Sequence, residues 1–149
     1  MAEKPALARW CAAAVLSTPD GRYLMQLRDP KPEIFLPDHW GLFGGSVDPG
    51  ETAEAALRRE LAEELRFTAR DVENLTEMTI DLPFARTRRD RMSFFVVPIA
   101  ADDVAGMVLG EGADMRLFRI EEITALPRIA PWDLAAVLMH ARRAALFGR

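Results

Sequence analysis

Cysteine, histidine and tyrosine are scarce in this chain: one cysteine, two histidines and one tyrosine occur among 149 residues. Cys11 has no partner for an internal disulfide, and its place in the apolar run "WCAAAVL" reads as a small buried hydrophobe in a reducing compartment. His39 and His140 are too few and too far apart to suggest a zinc site. Long apolar runs are also missing, and none approaches the roughly 18 residues that a bilayer requires. "WCAAAVL" is abutted by Arg9, preceded by Glu3 and followed by "STPDG" without a small-residue cleavage site. It is therefore expected to be a strand, and the protein to be cytoplasmic with no membrane partner. Excess positive charge is absent too: the formal net charge of -4 argues against nucleic acid as the main partner and favours small-molecule chemistry.

What is present is the composition of one globular domain, 50% hydrophobic and 28% charged. The whole chain, 1–149, reads as a single domain, with no internal repeat, linker or low-complexity tract. Ala8 to Leu16, the turn "TPDG" and "RYLMQLR" predict an antiparallel strand pair. Asp29 to His39, with Pro30, Pro32 and Pro37, predicts a long loop. "WGLFGG" predicts a short strand, and "ETAEAALRRELAEEL" then takes helical spacing through Leu57, Leu61 and Leu65. "LTEMTIDLPF" and "RMSFFVVPIA" predict strands around the arginine-rich tip "ARTRRD". "MRLFRI" predicts a further strand and "EEITAL" a short helix, while Pro131 through Leu146 predicts a terminal amphipathic helix. Mixed strands with helices on either side imply an α/β fold, layered as an α/β/α sandwich around a mixed sheet.

The chemistry concentrates between Gly44 and Phe67. Gly45, Gly50 and Thr52 fit the phosphate-binding pattern G-x-x-x-x-G-K-[ST], but Glu51 stands where the phosphate-neutralising lysine belongs, so a P-loop is excluded. A second reading makes the helix acids a solvated face. At 100° per residue, however, Glu60, Glu63 and Glu64 fall within an arc of about 100° that overlaps the buried leucine side. Like charges one turn apart destabilise a helix by about 0.2–0.5 kcal/mol per pair, more when partly buried. A hard divalent cation held by oxygen ligands removes that cost.

The segment resembles the Nudix hydrolase signature, G-x5-E-x7-R-E-U-x-E-E-x-G-U with U apolar, through Gly45, Glu51, Arg59, Glu60, Leu61, Glu63, Glu64 and Phe67. Arg66 replaces the last glycine, where a left-handed residue would end the helix; a non-glycine there costs roughly 1 kcal/mol or forces another helical turn. The resemblance implies hydrolysis of a nucleoside diphosphate linked to another moiety, with magnesium or manganese as cofactor. It implies Glu63 and Glu64 as principal metal ligands, Glu60 as a further ligand or water-activating base, and the Gly44 carbonyl completing the set. Glu51 and Arg59 are implied to orient loop and helix as an ion pair.

A general base outside the signature would come from Glu111 or Asp114 in "GEGADMRLF". Arg28 after the second strand is a candidate for substrate phosphates, and Arg86, Arg88, Arg89 and Arg91 for a basic lip attracting an anion. Trp40, just before the glycines, either stacks a base or packs on the sheet. Nucleoside triphosphates, nucleotide sugars and ADP-ribose remain open as substrates, and a homodimer fits the family. The alternative to catalysis is a nucleotide-binding sensor or partner-binding module on the same fold.

Overall fold

The computed structural model describes residues 7–82 and 88–147, with Ala8, Arg88 and Phe147 described by backbone alone. In chain order the elements are β1 Leu7–Ser17, β2 Arg22–Leu27, β3 Trp40–Gly41, β4 Phe43–Ser46, α1 Ala53–Leu65, β5 Glu73–Leu82 and β6 Arg88–Pro98. They continue with α2 Ala101–Gly106, β7 Asp114–Arg119, α3 Ile120–Thr124, α4 Pro131–Ala141 and α5 Arg143–Phe147. Strand order is β3-β2-β1-β6-β5, with β4 pairing β1 and β7 pairing β2. β1 runs parallel to β6 and antiparallel to β2 and β4, which makes the sheet mixed.

β1 is apolar at consecutive positions because both of its faces are covered. Ala12, Ala14 and Leu16 join one core with Leu57, Leu61 and Leu65 of α1, and Cys11, Ala13 and Val15 join another with Ala136 and Val137 of α4. The sheet therefore lies between α1 and α4, as the α/β/α reading expects. Each of the three α1 leucines is fully buried, a contribution of roughly 1.5–3 kcal/mol apiece.

α1 begins at Thr52, whose Oγ1 accepts the Ala55 N–H at 3.1 Å. It ends at Arg66, which itself adopts the left-handed conformation (φ 50°, ψ 39°) and sends its N–H to the Ala62 carbonyl at 3.0 Å. Of the two outcomes expected for that non-glycine, the chain takes the strained stop.

Three expectations are corrected. "WGLFGG" forms two short strands with different neighbours, β3 on β2 and β4 on β1. The terminal helix breaks at Arg142 (φ -102°, ψ 14°), where the Arg143 guanidinium donates to the His140 carbonyl at 2.8 Å and caps α4. α2 was not expected; the Asp103 carboxylate accepts the Ala100 N–H at 2.8 Å and fixes its first turn. Among the described residues no helix is long and apolar enough to cross a membrane.

Candidate active site

β4 carries the site. Gly44 faces Ala13 across the β1–β4 ladder, and a Cβ added at Gly44 would lie 2.0 Å from the Ala12 carbonyl oxygen, so only glycine fits. That close approach lets the Gly44 N–H donate to Glu64 Oε1 at 3.3 Å. At Gly45 the space a side chain would fill is taken by the Glu60 carboxyl, whose carbon would stand 2.4 Å from a Cβ. The two glycines thus seat Glu64 and Glu60.

Arg59 organises the preceding loop. Its Nε and Nη2 donate to the two oxygens of Glu51 at 3.0 and 2.8 Å, Nη2 also reaches the Ser46 carbonyl at 3.0 Å, and Nη1 donates to Glu60 at 2.9 Å. Glu63 Oε2 lies 3.6 Å from Nη1, with its side chain 60% exposed. The guanidinium holds the Glu51 carboxyl down to about 2 and is itself raised by Glu51 and then Glu60.

Glu64 is buried at 4% exposure and pushed up to about 8, first by that burial and then by the charges of Glu60 and Glu111. Glu60 is also raised, chiefly by burial, against the pull of Arg59. Glu111 reaches this group because its loop is stapled to the end of α1. Gly110 N–H donates to the Glu64 carbonyl at 2.7 Å and Val108 N–H to that of Leu65 at 3.0 Å. Gln26 Nε2 holds the Glu111 carbonyl at 2.8 Å.

Among the described residues no three His, Cys, Asp or Glu side chains form a ready-made metal cluster, since Glu60 and Glu63 face Arg59 and Glu64 takes the Gly44 N–H. The donor set nevertheless suits a hard divalent cation. It is all oxygen, and Glu64 lies in the field of Glu60 and Glu111, a repulsion that a bound cation would reverse.

A cleft opens beside the glycines. Arg9, Cys11, Arg28, Phe35, Trp132 and Asp133 line it together with Gly44 and Gly45. Arg28 also borders a second recess with Lys31 and Glu111, and its Nε donates to the Phe35 carbonyl at 2.7 Å, tying down the Asp29 to His39 loop.

Other expected positions lie elsewhere. Trp40 packs edge-on against Phe118 (4.8 Å between centroids, 85°), partly buried against the core on the α4 side of the sheet. Arg89 and Arg91 sit on β6, bound to Asp81 and Glu77 of β5, rather than on a free hairpin lip. The Arg88 side chain and all of Arg86 lie outside the described residues. Asp114 pairs with Arg116. Sequence reasoning missed Lys31, Phe35, Trp132 and Asp133; "PWDL" signals only a helix start with a favourable acid in its first turn.

A family model described as the NUDIX domain matches residues 7–139. A curated nucleoside triphosphatase, NudI of Escherichia coli O1:K1, is 50% identical over 46 residues, 31% of this chain and 32% of its own length. The match therefore spans about a third of that relative. The solution structure of the E. coli ORF135 protein superposes with a TM-score of 0.72 at 26% identity, covering 95% of this chain and 94% of the other. A MutT NUDIX hydrolase from Burkholderia pseudomallei gives a TM-score of 0.71 at 23% identity, covering 87% and 95%.

Proposed function

The chain belongs to the NUDIX domain family, and on that premise we propose that it is a metal-dependent pyrophosphohydrolase acting on a nucleoside diphosphate linked to a further group. The observation that carries this reading is the convergence on buried Glu64 of the charges of Glu60 and Glu111, beside two glycines whose missing side chains leave the space that Glu64 and Glu60 use. The identity to a nucleoside triphosphatase supports a triphosphate as the substrate type.

Glu60, Glu63 and Glu64, with the Gly44 carbonyl, would hold magnesium or manganese. What such an ion would supply there is neutralisation of phosphate oxygens and a lowered pKa for a coordinated water. The chain's own residues do the rest. Glu51 locks Arg59, and Arg59 keeps Glu60 and Glu63 beside the loop. Arg28 and Lys31 flank the recess that Glu111 borders, where they offer positive charge to phosphates. Glu111, which borders the same recess, would take the proton of the attacking water as the water oxygen bonds phosphorus, the phosphoanhydride P–O bond breaks and the departing phosphate group leaves with its electron pair.

The test is product release over a nucleotide panel with and without magnesium, using Glu63→Gln and Glu64→Gln as blanks. Turnover that requires the metal and is mostly lost in both variants supports the reading. Affinity without product in the wild type would instead make the protein a nucleotide sensor. A pH-rate profile of Glu111→Gln isolates the base: an unchanged basic limb at near-normal rate removes Glu111 from that role.

A further inference from the structure

Gln26 is a polar side chain at an interior position of the sheet. It stands on β2 between Met25 and Leu27, pairs with Gly41 of β3 on one side and Met115 of β7 on the other, and is 6% exposed. An amide buried there is costly unless it is hydrogen-bonded. Its Nε2 donates to the Glu111 carbonyl at 2.8 Å, and because a carbonyl only accepts, the NH2 end must face it. Gly112 is shaped around the same group: its φ is +96°, and a Cβ there would lie 2.7 Å from Gln26 Nε2 and 3.0 Å from the Leu27 carbonyl oxygen. The loop is pinned on both sides of this contact, by the Gly110 N–H on the Glu64 carbonyl at 2.7 Å and the Ala113 N–H on the Leu27 carbonyl at 2.9 Å. Of these three ties, the amide is the one made to Glu111 itself. Gln26, Glu111 and Gly112 border one recess together with Arg28 and Lys31.

From this arrangement we infer that Gln26 is a positioning residue for Glu111: its amide fixes the Glu111 carbonyl, and with it the place of that side chain at the recess. The inference deepens the preceding functional reading and rests on it for one step, the transfer of the water proton to Glu111. A base must stand within hydrogen-bond reach of the proton it takes, so freedom in the backbone that carries it lowers turnover more than binding. Methionine at position 26 tests the donor alone, being unbranched, of similar length and without an N–H. Gly112→Ala disturbs the same contact from the loop side. A second consequence follows from Gln26 acting through Glu111. Once the Glu111 carboxylate is gone, the amide has no base to place, and its loss should cost turnover nothing more.

Two measurements on the full chain test this. Amide hydrogen exchange over 108–113 should quicken about twofold to tenfold in Gln26→Met, the range for one neutral hydrogen bond, and Gly112→Ala should move it the same way. Values of kcat and KM for the four common nucleoside triphosphates, each with magnesium, are then compared in wild type, Gln26→Met, Glu111→Gln and the double variant. Gln26→Met should lose about tenfold in kcat with KM held within about twofold, and should add nothing to the loss in Glu111→Gln. Unchanged exchange in Gln26→Met, a normal kcat beside a deficient Glu111→Gln, or losses that multiply in the double variant would overturn the assignment. Should Gln26→Met not fold, Gly112→Ala carries both measurements with the same expected and overturning results. The two readings fail separately. Unchanged exchange with metal-dependent turnover removes this inference alone; faster exchange with no turnover over the nucleotide panel, or with a normal rate in Glu111→Gln, removes the hydrolase or the base and leaves Gln26 as the anchor of the loop.

Discussion

The Glu60 carboxyl occupies the position that a side chain on Gly45 would need: a Cβ there would come within 2.4 Å of its carbon and 2.6 Å of Oε1. The clashing group is the end of a flexible side chain, so Gly45→Ala should fold, at a cost of about 1–3 kcal/mol. Turnover should fall by at least about tenfold, because misplacing a reacting group by an ångström is costly. Comparing kcat with the urea midpoint separates the two effects. A variant with normal kcat would mean that the seat of Glu60 does not matter.

Arg59 and Glu51 act as one unit, two parallel hydrogen bonds with Glu60 attached to the same guanidinium. Lysine keeps the charge but cannot reproduce the fork. Arg59→Lys should lose about tenfold or more in kcat, and adding Glu51→Gln should lose little further, since the pair is already broken. Independent, multiplying losses in that double-mutant cycle would refute the coupling.

The legible part of the site is the part compressed into a single loop and helix. Spacing alone placed Glu60, Glu63 and Glu64 on one arc beside the leucines, and Glu64 is buried as that arc requires. The resemblance supplied the Glu51–Arg59 pairing, which the structure contains. Glu111 was legible only as an acid in a glycine-rich loop; its proximity to Glu64 comes from Gly110 and Val108 bonding the last carbonyls of α1. Asp133 was invisible because its partner Leu42 is 91 residues away, and a first-turn acid looks the same whether solvated or buried. Trp40 and Trp132 show the same limit: position near the glycines left Trp40 open between stacking a base and packing on the sheet and said nothing of Trp132, whereas the folded sheet sets Trp40 against Phe118 and brings Trp132 to the cleft.

Arg66 ends α1 in a backbone region that disfavours L residues by about 1–2 kcal/mol. Glycine relieves that strain but frees the unfolded chain by about 0.4–1 kcal/mol. Arg66→Gly should therefore stabilise by about 0.5–1 kcal/mol, while Arg66→Ala, equally strained, gains nothing. Urea denaturation of both decides it. A gain in the alanine variant would shift the cause from backbone to side chain.

Asp133 should also make stability depend on pH. Burial pushes its carboxyl up to about 7 from an ordinary 3.8, while the Leu42 N–H and the charge of Arg28 pull the other way. Between those values the folded chain holds a proton that the unfolded chain has released, so its contribution is full below about pH 4 and lost as pH rises through 7. The loss is on the order of 4 kcal/mol. Asp133→Asn lacks it, while Glu64, raised in the same direction, is common to both proteins and cancels in the comparison. The difference in unfolding free energy should therefore move toward the variant from pH 4 to pH 8, and parallel curves would contradict this.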